Sequence, residues 1–276
     1  MAVDGLCERQ VFGAGHDVSK NIIKVETTES LSASTIERFL DTFNRYGFVV
    51  WQTPVTGRET DNLMPLSALF GTPIVHNRAA ADGVLVIDSS KPVAGYLGSM
   101  PEAHPLHTDG ALLTEPEHVL TLKCIRKADL GGTSQLASGK AGFDYLARTC
   151  PDDLPFLMEA DAIVIDRATD HYQGPVFWKV GERIHFRFRM DDVANVVPSP
   201  RAMKAYRLLS EFYEDPANRI EVTLEPGQIL TLDNREMLHG RTDYAGGRRL
   251  LRRNYDGAGT LGGKMLFGFK PAKPIG

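Results

Sequence analysis

The stretch EPGQILTLDNREMLHGR, residues 225–241, joins a Pro-Gly turn, a short apolar run, a polar turn and a histidine. The turn feeds a strand that ends near Asp233, and the chain then carries His239 onto the next strand. In a small barrel, a histidine placed in this way faces residues of a neighbouring strand. The stretch therefore predicts a β fold with His239 turned toward its interior.

The segment LHTDG, residues 106–110, supplies partners for that histidine. His107 and Asp109 stand two residues apart at the end of an extended segment, and side chains two apart on a strand share a face. With His239 they make a two-histidine, one-carboxylate facial triad. Such a triad leaves three metal positions open, which suit a chelating co-substrate and O2 on an iron ion.

Short β-type runs separated by turn residues fill the chain from about residue 84. Many short strands with regular turn signals predict a sandwich or barrel of the jelly-roll kind. The runs cover residues 84–87, 119–125, 133–137, 162–165, 176–180, 184–188, 220–224, 228–232 and 250–255. Apolar residues at helical spacing predict helices over residues 34–46, 57–70, 140–148 and 201–213.

Composition narrows the class of protein. The 276 residues are 42% apolar, which suits one domain over residues 1–276 with a large core. The net charge of -4, without a basic stripe, argues against a nucleic-acid partner. Without a leader-like N-terminus or a long apolar run, we expect a cytoplasmic protein with no membrane partner. Cys7, Cys124 and Cys150 lack the spacing of a disulfide framework or a thiolate zinc site.

The sequence resembles the taurine dioxygenase and clavaminate synthase group of 2-oxoglutarate-dependent oxygenases over roughly residues 35–256. Three ordered stretches carry the resemblance: HTDG with Pro116 following, then GGTS at residues 131–134, then PGQ, DNR and HGR followed by Arg249 and Arg253. The resemblance implies a mainly β fold with flanking helices around a double-stranded β-helix, the cupin-like jelly roll. It also implies Fe(II) held by His107, Asp109 and His239, with 2-oxoglutarate and O2 as co-substrates.

The resemblance further implies which residues hold 2-oxoglutarate. An arginine some ten residues after the distal histidine pairs with the remote carboxylate in this group, which here is Arg249, with Arg253 as a second contact. A guanidinium fork suits a carboxylate in a partly buried pocket. Arg248 and Arg252 are close enough in sequence to be confused with the true partner, and a bulge is needed if Leu250 faces the core.

A hydroxyl residue after the paired glycines completes the carboxylate site in that group. By position it is Ser134, where threonine is commoner. Thr133 is the alternative if the register is shifted by one residue.

The implied reaction converts 2-oxoglutarate to succinate and carbon dioxide and hydroxylates an unactivated C–H bond of a small polar substrate. We expect an amino acid or an amino-acid-derived intermediate of secondary metabolism. Desaturation, epoxidation or cyclisation with the same cofactor stays open. Two more distant alternatives are a zinc hydrolase or isomerase using the same triad and a non-catalytic 2-oxoglutarate sensor. The sequence leaves the oligomeric state open, a homodimer included.

Three further residues are candidates for substrate contact. His104 lies three residues before His107, and His76 lies in a segment where the family often contacts substrate. Arg187 belongs to an alternating polar run, residues 183–189, which forms either a cationic wall facing a substrate carboxylate or a solvated face of an outer strand. The histidines alternatively take ordinary surface or core positions.

Overall fold

A computed structural model describes residues 8–272, so Cys7 and the last four residues lie outside the described part. In that part the α-helices are α1 (Ala33–Tyr46), α2 (Leu66–Phe70), α3 (Gly139–Thr149) and α4 (Met203–Glu214). The strands are β1 (Ile22–Lys24), β2 (Phe48–Gln52), β3 (Pro73–Ile74), β4 (Leu85–Asp88), β5 (His104–His107), β6 (Val119–Arg126), β7 (Leu130–Gly131), β8 (Ser134–Ser138), β9 (Ile163–Arg167), β10 (Asp170–Gly174), β11 (Phe177–Val180), β12 (Arg183–Phe186), β13 (Asn195–Pro198), β14 (Ile220–Val222), β15 (Gln228–Asp233), β16 (Met237–Arg241), β17 (Tyr244–Ala245) and β18 (Arg249–Tyr255). Short 3-10 helices cover Val18–Asn21, Leu97–Ser99, Leu154–Met158 and Pro216–Asn218.

Two sheets form the centre of the molecule. The larger runs β1-β2-β15-β6-β18-β3, with β4 also paired to β18, and the smaller runs β14-β8-β16-β5. Apolar residues of both sheets, such as Leu230 and Leu250 from the larger and Leu136 and Met237 from the smaller, form one core between them. This arrangement confirms the predicted double-stranded β-helix.

Helix α1 follows its sequence signals closely. The Ser32 side chain accepts a hydrogen bond from the amide of Thr35, and Gly47 ends the helix in the left-handed region with φ 78°. Phe39 and Phe43 of its apolar face are fully buried against the outer face of the larger sheet. The predicted helix over residues 34–46 is therefore confirmed.

The predicted helix over residues 57–70 is wrong for its first half. Only Leu66–Phe70 is α-helical, and turns cover the residues before it. Pro65 has no amide hydrogen to donate inside a helix, and Asn62 takes a positive φ of 62°. Both features stop a continuous helix at this point.

Strand β18 separates two environments by simple alternation. Leu250 packs in the core between the sheets, whereas Leu251 packs with α1 and α2 on the other face. Residues 250, 252 and 254 therefore share the inner face, and residues 251, 253 and 255 share the outer face. This alternation decides which arginines reach the interior of the barrel.

A third core joins α3 and α4 to β9, β11 and β12.

The helices within residues 8–272 are all too short or too polar to cross a membrane. Cys124 and Cys150 are buried and free, and burial raises the pKa of the Cys124 thiol to about 11.

Candidate metal centre

His107, Asp109 and His239 meet on the inner face of the smaller sheet. His107 ends β5 and is paired directly with His239 of β16, and Asp109 follows two residues after β5. Asp109 Oδ1 lies 3.6 Å from His107 Nε2 and 3.7 Å from His239 Nε2. One ligand atom from each residue falls within 4.8 Å of the others, and all three residues are buried. The structure thus brings the three predicted ligands together.

The surroundings of the three residues suit a divalent metal. His107 Nδ1 lies 2.9 Å from the Pro105 carbonyl, so a proton on Nδ1 leaves Nε2 free as a ligand. Burial, aided by His107, lowers the pKa of His239 to about 3, which keeps it neutral. Burial alone would raise the pKa of Asp109, but Arg252 and the two histidines hold it well below its usual value. Two imidazole nitrogens and one carboxylate oxygen are a donor set that fits Fe(II).

Two asparagines and one arginine fix Asp109. Asn234 accepts from the Asp109 amide at 2.8 Å and donates to the Asp109 carbonyl at 3.0 Å. Asn254 donates to Asp109 Oδ2 at 2.9 Å, and Arg252 Nη1 lies 2.8 Å from the same oxygen. Asn234 belongs to the DNR segment, whose predicted turn is present because Asp233 Oδ1 accepts from the Arg235 amide.

Arg249 does not lie at the triad. Its guanidinium is bound by Glu59, with two contacts of 2.8 Å, and by Asp88. Because β18 alternates, Arg252 is the residue that enters the barrel. The placement argues against the predicted contact between Arg249 and the co-substrate.

Arg253 also lies on the outer face. It donates to the carbonyls of Asp82 and Met64 and to the hydroxyl of Ser67. These bonds tie β18 to the segment before β4 and to α2. Its predicted role as a second co-substrate contact is not supported by this position.

Three other arginine side chains lie at the inner face, and two of them already have acceptors. Arg241 donates to the carbonyls of Leu97, Met100 and Thr242, and Arg252 is paired with Asp109. Arg248 is only 7% exposed and stacks at 5.6 Å on the Tyr244 ring. Within residues 8–272, its guanidinium has no hydrogen bond or ion pair. Burial, and to a smaller extent the charge of Arg241, lowers the pKa of Arg248 to about 10, so Arg248 stays charged at neutral pH.

Gly132, the second of the paired glycines, makes room for this arginine. A Cβ on Gly132 would lie 3.3 Å from Arg248 Cδ and 3.3 Å from Tyr244 Cβ. Ser134 is buried and paired with Arg241 across β8 and β16, so it faces inward. The Thr133 hydroxyl instead bonds the Thr223 hydroxyl at 3.2 Å. Of the two predicted hydroxyl residues, Ser134 is the one on the inner face.

The two candidate histidines lie close to the triad. The His104 ring stacks on His107 with centroids 4.1 Å apart. His76 is half-buried, and burial, then Arg252 and Arg78, lowers its pKa to about 4 although Asp109 opposes the shift. Both remain candidates for substrate contact.

Arg187 has a different environment from the one predicted. It is 1% exposed, lies 3.6 Å from the centroid of the Tyr172 ring, and donates to the carbonyls of Ala111 and Thr114. Arg187 therefore holds the turn that follows Asp109 through two of its backbone carbonyls. This placement argues against both the cationic wall and the solvated face.

A search of family models identifies one match over residues 9–255, described as "Taurine catabolism dioxygenase TauD, TfdA family". Gamma-butyrobetaine dioxygenase of Homo sapiens is 28% identical over 159 residues, which cover 53% of this chain and 41% of that protein. Mitochondrial trimethyllysine dioxygenase of Bos taurus is 27% identical over 243 residues, covering 82% and 55%. The chain thus spans about half the length of these relatives. Uridine-5'-phosphate dioxygenase of Streptomyces sp is 27% identical over 231 residues, covering 74% and 82%.

Solved structures agree on the fold. A taurine dioxygenase from Burkholderia xenovorans superposes with a TM-score of 0.63 at 19% identity, covering 89% of both chains. The non-heme iron oxygenase OrfP, in complex with Fe and alpha-ketoglutaric acid, gives 0.61 at 20% identity, covering 80% of this chain and 79% of that one. Asparagine oxygenase with Fe(II), 3-hydroxyasparagine and succinate gives 0.59 at 15%, covering 85% and 93%.

Proposed function

Because the chain belongs to the TauD, TfdA family of taurine catabolism dioxygenases, we propose that it is an Fe(II)- and 2-oxoglutarate-dependent oxygenase of small polar molecules. His107, Asp109 and His239 are the proposed iron ligands. Bound iron supplies the oxidation of an unactivated C–H bond by O2, coupled to conversion of 2-oxoglutarate to succinate and carbon dioxide. Residues 1–276 are proposed to form the single catalytic domain.

The observation that carries this proposal is the buried, unpaired guanidinium of Arg248 in the same barrel as the triad. A charge without a partner in a protein interior is costly, so the fold keeps it for an anion that arrives later. 2-Oxoglutarate has two carboxylates, and the one that does not chelate metal needs such a partner. Arg248, with the inward hydroxyl of Ser134, is our proposed site for it, in place of Arg249.

The substrate class is proposed from the relatives and the pocket together. The names of related proteins and complexes include trimethyllysine, gamma-butyrobetaine, uridine-5'-phosphate and 3-hydroxyasparagine, all small and polar. His76 and His104, beside the triad, are the proposed substrate contacts. Amino acids and their derivatives are therefore the first compounds to screen, with hydroxylation as the expected reaction.

The test is an anaerobic titration of the purified protein with Fe(II) and then 2-oxoglutarate. We expect a weak visible metal-to-ligand charge-transfer band in the wild type, no band with His107→Ala, and a band requiring much more 2-oxoglutarate with Arg248→Ala. Substrate screening by succinate release follows, and product mass separates hydroxylation from desaturation. Absence of the band in a wild type that binds zinc tightly would overturn the proposal in favour of a hydrolase. A normal band without turnover on any screened compound would favour a sensor.

A further inference from the structure

The two oxygens of the Asp109 carboxylate face different partners. Oδ1 is directed at the two histidine Nε2 atoms, at 3.6 and 3.7 Å. Oδ2 accepts from Asn254 Nδ2 at 2.9 Å and lies 2.8 Å from Arg252. Only Oδ1 is left for a metal ion while both donors hold Oδ2.

We propose that Asn254 is a positioning residue that restricts Asp109 to binding the metal through Oδ1. This inference rests on the proposed function, since it concerns the same metal centre. Two imidazoles and one carboxylate oxygen occupy three positions of a six-coordinate ion, leaving three for a chelating 2-oxoglutarate and O2. A carboxylate that turns to bind through both oxygens takes one of those three positions. Asn254, together with Arg252, opposes that rotation.

Asn254 is hard to explain by stability alone. It is 4% exposed on the inner face of β18, directly opposite the apolar Leu120. Its Oδ1 is buried and has no hydrogen-bond partner among the described residues. The Asn254 side chain also lies at the buried carboxyl of Glu117, where its hydrogen bond opposes the burial that raises the pKa of Glu117. A buried polar atom without a partner destabilises the folded state. Leucine would remove the unpartnered Oδ1 together with the bonds to Asp109 and Glu117, and of these two bonds only the one to Asp109 reaches a proposed metal ligand.

The assignment predicts that replacing Asn254 weakens metal binding without a matching loss of fold stability. Asn254→Leu keeps the volume of the side chain and removes the donor to Oδ2. We expect the dissociation constant for Co(II), used as a spectroscopic substitute for Fe(II), to rise about 10- to 100-fold. The Co(II) d–d spectrum should also change, because Oδ2 of Asp109 then keeps only its contact with Arg252 and the carboxylate can turn more easily. Without metal, the melting temperature should stay close to that of the wild type, because losing the bond to Asp109 and removing the unpartnered Oδ1 have opposite effects on stability.

Asn44→Ala is the matched control. Asn44 is also a buried asparagine, but it bonds the backbone of Lys264 and Leu266, at α1. We expect this variant to melt at a lower temperature and to bind Co(II) like the wild type. Asn254→Ala is measured alongside, so that Co(II) binding can still be tested without the amide if the leucine variant does not fold.

The outcomes separate the two proposals. Unchanged Co(II) affinity and spectrum in the Asn254 variants, with the wild type binding Co(II), overturns the positioning role and leaves the proposed function standing. A lower melting temperature with unchanged Co(II) binding shows a structural residue and overturns it too. Failure of the wild type to bind Co(II) at the triad overturns both.

Discussion

Arg252 Nη1 lies 2.8 Å from Asp109 Oδ2 and joins the two sheets across the interior of the barrel. Asp109 follows β5 of the smaller sheet, and Arg252 belongs to β18 of the larger one. The pair keeps the carboxylate ionised in a buried place. Because the Arg252 guanidinium is already paired with Asp109, Arg248 is the arginine available for a second anion.

The first prediction concerns the co-substrate. Replacing Arg248 with alanine should raise the dissociation constant for 2-oxoglutarate about 10- to 100-fold, because hydrogen bonds to a charged group contribute about 1.5–3 kcal/mol. The measurement is the charge-transfer band as a function of 2-oxoglutarate concentration with Fe(II) under anaerobic conditions.

Arg249→Ala is the control for that experiment. Arg249 lies next in the chain but is paired with Glu59 and Asp88, so the same constant should stay within about twofold of the wild type. The reverse result, with Arg249→Ala weakening 2-oxoglutarate and Arg248→Ala neutral, would return the role to Arg249.

These arginines show where inference from the sequence stops. The metal ligands were predictable because a histidine and an aspartate two residues apart, with a second histidine after a turn, form a recognisable set. Leu250 and Leu251 are both apolar and each packs in a different core, so the hydrophobic pattern does not decide which face of β18 is inside. That choice depends on pairing with β6, where Arg249 opposes Arg126 and Leu250 opposes Cys124, leaving an extra residue on β6.

Asn254 gave no signal of its own for a related reason. An asparagine near the end of a strand is ordinary in sequence, and its meaning comes from Asp109, which is distant in the chain. Gly132 is different, since the paired glycines were noticed through the resemblance. The physical reason for Gly132, the close approach of Arg248 and Tyr244, required the structure.

Arg187 supplies the second prediction. Arg187→Met should destabilise the fold by about 2–3 kcal/mol, because it removes bonds to the Ala111 and Thr114 carbonyls and the contact with Tyr172. Urea unfolding measures this loss, and the charge-transfer band should form at wild-type 2-oxoglutarate concentrations. If stability is unchanged and only substrate-stimulated succinate release is lost, Arg187 contacts substrate after all.

Gly110 supplies the third prediction. It has φ +65°, and a Cβ there would lie 2.1 Å from Glu117 Oε2, directly beside Asp109. Gly110→Ala should cost the backbone strain of about 1–2 kcal/mol, as well as the displacement of Glu117, and should weaken metal binding. Gly181→Ala is the control, because Gly181 has φ +59° with nothing within 4 Å of the added atom. Equal unfolding free energies for the two variants would show that the contact with Glu117 is relaxed at no cost.

Asp88, the partner of Arg249, supplies the fourth prediction, which concerns the pH dependence of stability. Hydrogen bonds from the Ser90 amide and hydroxyl, together with Arg249, lower the pKa of Asp88 to about 2 from an ordinary 3.8. Since the folded state holds the carboxylate ionised, Asp88 stabilises the protein above its unfolded pKa. This contribution should fall progressively as the pH drops from about 5 toward 2. The measurement is urea unfolding of the wild type and Asp88→Asn at pH 7 and at pH 3.5. The difference between the two proteins should shrink at the lower pH, and a difference that stays constant or grows on acidification would show that Asp88 does not titrate in this way.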